Sequence, residues 1–345
     1  MGLQFKDLIV KEEITSKDLK DKILAVDTMN LLYQFLTTIR SMDGSALTDS
    51  KGRVTSHLIG LFSRTTSLME QGLKLVFVFD GKAPAIKKKT WEKRTAIKQE
   101  AAKLFKKAEE EGDQADMRKF ASRTVILDKD MIQDAKNVIT ALGLPIVQAP
   151  SEGEAQTAYM AKKGDCYASV SQDYDNLIFG CPTLVRNLSI EGKRKKAGKF
   201  AYQKIKPETI KLAAVLKHLE LTLDQLIVLA VLVGTDYNPG GVKGIGPKTG
   251  LKMLKLHGEN FDAIFEEVKW KEFYPDLDWK EVYNTIKDIP VTDDYKLEWK
   301  KIDEEVLIEL LVNEHEFSLE RVKSKLEKLN GVKDKLTQKG LSSFF

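Results

Sequence analysis

Apolar positions along this chain fall into short unbroken runs that alternate with stretches of helical period. Ile23–Val26, Leu75–Phe79, Leu144–Val147 and Cys166–Val170 are such runs, each four or five residues long. Runs of this length, separated by amphipathic helices, read as strands of a parallel sheet buried on both faces. Leu226–Val233, within the helical run Leu223–Val233, is the longest strongly apolar stretch but falls far short of the roughly 20 residues that cross a bilayer, so it predicts a buried helix. The alternation predicts an α/β fold with a mostly parallel central sheet flanked by helices. No internal repeat or proline-rich linker divides the 345 residues, a length that suits one large domain or two.

Three of the runs end in carboxylates. Asp27 follows the first, Asp80 the second, and Asp173 and Asp175 the run from Cys166. Ligand sites of open α/β sheets lie beyond the carboxyl ends of the strands, so these acids are expected to meet. Leu144–Val147 leads into Pro150-Ser151-Glu152-Gly153-Glu154, and Asp236 follows the buried helix, just before a glycine-rich turn. Singly, each acid has an ordinary explanation. Aspartate is common in turns and caps, and Ser151 with Glu154 fits a capping box, with Ser151 as N-cap and Glu154 as the third helical residue. That account omits Glu152 and does not explain seven acids placed this way. Crowded carboxylates repel unless cations sit among them. An all-oxygen set suits Mg²⁺ or Mn²⁺ rather than zinc, and the four histidines, His57, His218, His257 and His315, include no ligand-spaced pair.

A net charge of +4 says little by itself, but the distribution says more. Between Lys87 and Lys107 nine basic residues face two acidic ones. A solvated amphipathic helix would explain this, yet the segment starts right after Asp80, where cations above the acids can meet a phosphodiester. Lys87 and Arg94 are seven apart and share one helical face. Lys193-Arg194-Lys195-Lys196 reads either as a phosphate contact or as a solvated hairpin tip. Gly240 to Lys248 carries Gly244-Ile-Gly246-Pro-Lys248, a turn that lets a phosphate approach the backbone before a helix opened by proline; an ordinary glycine-rich connection is the alternative. It is not a Walker loop, because Pro247 separates Gly246 from Lys248. Two cysteines, Cys166 and Cys181, and the lack of a charged-then-apolar leader predict an intracellular, reduced protein.

With these residues in order, the chain resembles the flap endonucleases of the structure-specific 5′ nuclease superfamily, essentially end to end. The matching segments are Gly2-Leu-Gln, Val26-Asp27-Thr28 with Tyr33-Gln-Phe-Leu, Val78-Phe-Asp80-Gly-Lys82, Ala149-Pro-Ser-Glu152-Gly-Glu154-Ala-Gln, Ser171-Gln-Asp173-Tyr-Asp175, and Gly234-Thr-Asp236-Tyr-Asn with Gly244-Ile-Gly-Pro-Lys248. The resemblance implies a PIN-like nuclease core over residues 1–325, with a helical arch at about 82–129, a helix-hairpin-helix type duplex-binding motif at about 223–257, and a tail over 326–345. It implies a metal-dependent 5′ flap endonuclease and 5′–3′ exonuclease that maturates Okazaki fragments in DNA replication and acts in repair. Two Mg²⁺ ions, replaceable by Mn²⁺, would sit among Asp27, Asp80, Glu152, Glu154, Asp173, Asp175 and Asp236. Lys87 and Arg94 match the basic residues at the foot of the arch that stabilise charge on the scissile phosphate. Tyr33 matches a base-stacking residue, with helix packing as its other role. Arg40, Lys243, Gly244, Gly246 and Lys248 are expected to touch DNA, and backbone carbonyls near Val242 and Ile245 to hold a monovalent cation.

Gln338-Lys-Gly-Leu341-Ser-Ser-Phe344-Phe345 fits Gln-x-x-Leu-x-x-Phe-Phe, the motif that docks replication proteins onto the sliding clamp, proliferating cell nuclear antigen. The alternative is an aromatic tail folded onto its own core. The chain stops at this motif without the basic extension of nuclear members, which looks archaeal and implies a cytoplasmic location. A monomer acting on branched DNA with a 5′ flap, away from membranes, is expected. Two other function classes compete. A non-catalytic flap-DNA scaffold that recruits the clamp has no need of seven acids. A small-molecule phosphatase built on Asp173-Tyr-Asp175 leaves the turn, the basic segment and the tail unexplained.

Overall fold

The computed structural model describes residues 3, 5–41, 44–121, 126–190, 192–195 and 202–342. After a short strand β1 (Glu12–Glu13), strand β2 (Ile23–Asp27) feeds helices α1 (Thr28–Thr38) and α2 (Ser56–Glu70), and β3 (Lys74–Phe79) follows. A single 3₁₀ turn, Ala85–Lys87, leads to α3 (Lys88–Glu111) and α4 (Gln114–Ala121), which pack on each other in the segment expected as the arch. Helix α5 (Lys129–Ala141) returns the chain to β4 (Ile146–Gln148), α6 (Gly153–Lys163) to β5 (Ala168–Val170), and α7 (Asp175–Ile178) to β6 (Thr183–Arg186). A separate hairpin of β7 (Gly192–Lys195) and β8 (Tyr202–Ile205) precedes β9 (Glu208–Lys211).

The main sheet has the order β1-β9-β6-β5-β2-β3-β4. From β4 to β6 all neighbours are parallel, whereas β9 runs antiparallel to β6 and to β1. The fold is the expected α/β one, with an antiparallel edge that the short, half-polar β9 did not announce. Continuous apolar runs follow from covering on both faces, because successive side chains of a strand point opposite ways. Leu24, Val26, Leu75, Phe77 and Phe79 join one core with α1, α2, α5 and residues of the C-terminal helices, while Ala25, Val76 and Val78 join another with Met160 of α6.

The rest is helical: α8 (Leu212–Leu219), α9 (Leu223–Val233), α10 (Pro247–His257), α11 (Phe261–Glu267), α12 (Trp270–Phe273) and α13 (Trp279–Lys287) surround a third core. There Phe265 stacks on Trp279 and Trp270 on Tyr274, both with centroids 4.3 Å apart. An extended strap from residue 290 to 303 then crosses the sheet. Thr292 exchanges two hydrogen bonds with the Gln156 side chain, the Trp299 indole donates to the Leu75 carbonyl at 3.2 Å, and Lys300 N donates to the Gly143 carbonyl at 2.8 Å. After α14 (Glu304–Ile308), helix α15 (Leu319–Ser342) runs straight across the division expected at 325/326. Val322, Leu326 and Leu329, spaced by four and three residues, are all buried, so packed structure reaches at least Leu329. No helix among the described residues is long and apolar enough to cross a membrane.

Candidate active site

The carboxyl ends of β2, β3, β4 and β5 meet at one edge of the sheet, and the predicted acids meet with them. Asp27 closes β2 and caps α1, its Oδ1 accepting from Asn30 N at 3.1 Å and its Oδ2 from Ser171 Oγ at 3.3 Å. Asp80 follows β3, and its Oδ1 accepts from Gly153 N at 2.7 Å. A Cβ at residue 153 would lie 2.6 Å from that oxygen, so only glycine lets the two elements approach this closely. The capping box read from Ser151 and Glu154 does not form: Glu152 is the N-cap of α6 and makes no side-chain cap bond. Gly153 is the first residue of the helix, its amide held by Asp80, and the Ser151 carbonyl accepts from Gly81 N. Asp173 Oδ2 accepts from Asn30 Nδ2 at 2.8 Å, and Asp175 Oδ1 from Leu3 N at 2.7 Å.

Lys87, at the end of the 3₁₀ turn, lowers its ammonium into this cluster. It donates to Glu152 Oε2, stands 3.7 Å from Asp236 Oδ2, and lies 4.8 Å from the centroid of the Tyr237 ring. Thr90, on the first turn of α3, donates to the Asp236 carbonyl at 2.7 Å, which ties the foot of the arch to the loop after α9.

Burial, then Asp80 and Asp173, pushes Asp27 up to about 7. Burial with Asp173 and Asp236 beside it does the same to Asp175, and burial with Glu152 lifts Asp80 to about 6, although part of that residue still faces solvent. Glu154 rises well above the ordinary carboxylate range through burial and then Asp175, Asp27 and Asp173. Burial alone would lower Lys87, but Glu152 and Asp236 outweigh it and its affinity for the proton rises. Among the described residues no three His, Cys, Asp or Glu side chains are grouped closely enough to hold a metal ion as they stand. The donors are all oxygen, and the raised proton affinity of Asp27, Asp80, Glu154 and Asp175 marks surplus negative charge. Such a site fits Mg²⁺, which keeps several waters and needs few carboxylates.

A cation-free protein therefore holds protons on these acids that its unfolded chain, with carboxylate pKa values near 4, has lost. Their contribution to stability is complete below about pH 4 and is lost as pH rises through 6 to 7. Thermal unfolding in EDTA should show a midpoint that drops between about pH 5 and pH 8, and Mg²⁺ should restore it at the higher pH while doing little at the lower. A midpoint with the same pH profile with and without Mg²⁺ would contradict this account.

Comparison with known proteins gives the family. The XPG N-terminal domain matches residues 3–101 and the XPG I-region residues 143–236. Flap endonuclease 1 of Pyrococcus abyssi is 52% identical over 345 residues, covering 100% of this chain and 98% of its own, and that of Pyrococcus furiosus is 50% identical, covering 100% and 99%. The chain belongs to the flap endonuclease family. The structure of flap endonuclease-1 from Methanococcus jannaschii superposes with a TM-score of 0.75 at 41% identity, over 96% of this chain and 98% of that one. The catalytic core of Rad2 in complex with DNA substrate shares the fold, with a TM-score of 0.70 at 24% identity over 95% and 100% of the two chains.

The remaining candidate residues that are described lie on α1, α3, β7, α10, α15 and the loops beside them. Tyr33 on α1 is 36% exposed, and Lys98 of α3 places its ammonium 5.1 Å from the ring centroid, so Tyr33 faces the arch rather than a core. Arg94 lies on α3, with its side chain outside the described residues. Arg40 is only partly exposed and donates to the Gly44 carbonyl at 2.8 Å, turned toward its own loop. Gly244 has φ +89, which favours glycine, whereas Gly246 has φ −94 and a Cβ there would meet nothing within 4 Å. Gly246 caps α10 with Pro247 behind it, and Lys243 and Lys248 are exposed on either side. The Val242 carbonyl accepts from Ile245 N at 3.0 Å. Lys193, Arg194 and Lys195 run along β7 rather than forming a tip, because Gly192 to Lys195 pair with β8; Lys196 lies outside the described residues. Gln338 and Leu341 are on α15, while Phe344 and Phe345 lie outside the described residues.

Sequence reasoning missed the polar groups beneath the acids. Buried Asn176 donates to the Glu154 carbonyl, Thr157 Oγ1 and Ser169 Oγ, and so joins α7, α6 and β5. Ser169, a polar residue inside an apolar strand, was the one signal that could have found this network.

Proposed function

We propose that the chain is a structure-specific 5′ flap endonuclease and 5′–3′ exonuclease, hydrolysing DNA phosphodiesters at the flap–duplex junction in replication and repair. The observation that carries this reading is the meeting of acids with raised proton affinity at the ends of adjacent parallel strands, directly under the foot of the arch. Two Mg²⁺ ions, or Mn²⁺, held by Asp27, Asp80, Glu152, Glu154, Asp173, Asp175 and Asp236 would supply Lewis-acid stabilisation of the attacking and leaving oxygens.

Around them, the protein positions the strand. Lys87 and Arg94 balance charge on the scissile phosphate, and Tyr33 offers its exposed ring to a nucleobase. The open space over Gly246 and the free N–H groups opening α10 suit close approach of a duplex backbone, with Lys243 and Lys248 neutralising its phosphates. Carbonyls near Val242 and Ile245 hold a monovalent cation there, and Arg40 contacts the duplex on the other side. Leu341, Phe344 and Phe345, with Gln338 as polar anchor, dock the sliding clamp. The protein works as a monomer on branched DNA inside the cell.

The test is single-turnover cleavage of a duplex with a labelled 5′ flap and a one-nucleotide 3′ flap, in Mg²⁺ and then in EDTA. Metal-dependent release of one discrete flap product is expected. Tight binding without a cut in Mg²⁺ would favour the scaffold.

A further inference from the structure

Asn30 stands between two strand ends that supply acids, and nothing in the family pattern above gives it a task. We propose that Asn30 is a positioning residue that holds the Asp173 carboxylate oriented for a divalent cation. This rests on the nuclease reading. Its amide is used at both ends: Nδ2 donates to Asp173 Oδ2 at 2.8 Å, and Oδ1 accepts from Gln172 N at 3.3 Å. The side chain thus grips both a ligand carboxylate and the backbone that carries it, across 143 residues of sequence. Asn30 sits on the first turn of α1 after β2, residues 172 and 173 follow β5, and β2 and β5 are hydrogen-bonded neighbours.

Chemistry explains the amide. Asp173 belongs to a crowd of carboxylates, and its charge bears on Asp27, Glu154 and Asp175. A neutral N–H donor holds one of its oxygens in place without adding charge to the cluster. It fixes Oδ2 and leaves Oδ1 for a cation. A lysine here would compete with the cation, and an aspartate would add to the repulsion. The grip is separable from the helix cap, because Asp27 is held through the Asn30 backbone N–H, which truncation of the side chain leaves intact. Asn30 is also only half-buried, so truncation opens no sealed cavity.

Outer partners of ligating groups are worth roughly 10- to 100-fold in metal affinity. Asn30→Ala should keep the wild-type unfolding midpoint in EDTA and the wild-type affinity for flap DNA in Ca²⁺. Its Mn²⁺ affinity, read by electron paramagnetic resonance, should fall by about tenfold or more, and the Mg²⁺ needed for half-maximal single-turnover cleavage should rise by the same factor. In an Asp173→Asn background, Asn30→Ala should change Mn²⁺ affinity no further. Unchanged Mn²⁺ affinity in Asn30→Ala, or an equal loss in the Asp173→Asn background, would overturn the proposal and leave the nuclease reading standing. A wild-type protein that neither binds Mn²⁺ nor cuts flap DNA would sink both.

Discussion

Asp173→Asn should bind 5′-flap DNA within a few-fold of the wild-type protein and cut it at least about a thousandfold more slowly, since metal stabilisation of transition-state charge is worth several kcal/mol. The substitution keeps shape and removes charge, and Asp173 faces three buried acids whose proton affinity it helps to raise. Loss of charge here should therefore relax the folded, cation-free protein while it weakens the cation site. Single-turnover rates in saturating Mg²⁺, set beside binding in Ca²⁺, separate the two effects. Asp80→Ala should behave alike in cleavage but also release the Gly153 amide, so its unfolding midpoint should fall. Near-normal turnover by either variant in Mg²⁺ would remove the acids from the chemistry.

Lys87→Ala carries the second large effect. The ammonium is nearly enclosed, bonded to Glu152 and close to Asp236, with side-chain exposures of 12%, 11% and 20%. A cation so placed is pre-oriented at no cost during reaction, and losing such a group slows chemistry on the order of a hundredfold. Cleavage of bound flap should fall by about that factor, with flap affinity changed far less; equal losses in both would reduce Lys87 to an electrostatic handle. The stability effect has a defined sign. The folded-state proton affinity of Lys87 is raised, so its pairing contributes fully below the ordinary lysine pKa and is lost only as pH climbs through the higher folded value. The drop in unfolding midpoint caused by Lys87→Ala should be larger at about pH 9 than at about pH 6, because Lys87 also eases the ionisation of Asp80 and Asp175, which lose their protons as pH rises through 6 to 7.

Asp27 and Asp80 were legible because each stands where a continuous apolar run stops, and short runs of that kind mark strands covered on both faces. Leu75 to Phe79 alternates between two cores, and Asp80 is the first residue free of both. Ser151 misled for a physical reason as well. Its local capping box was sound chemistry, but the helix starts one residue later, with Glu152 as N-cap and the Gly153 amide bonded to Asp80, 73 residues away. Local patterns cannot show such a long-range contact. Asn30 stayed hidden because an asparagine on the first turn of a helix has an ordinary local use, and its partner lies on another strand. The antiparallel edge was equally silent, since β9 is four residues long and reads Glu-Thr-Ile-Lys.

The strap that crosses the sheet has a consequence for how the molecule comes into being. The Leu75 carbonyl waits for Trp299, 224 residues later, and Gln156, two residues from Glu154, waits 136 residues for Thr292. Contacts of such sequence separation form late, because loop closure must be met before they reward it. In a nascent chain all seven acids are present by residue 236, yet the bonds that tie Gln156 of α6 and Leu75 of β3 to the strap form only once residues 292 and 299 have emerged.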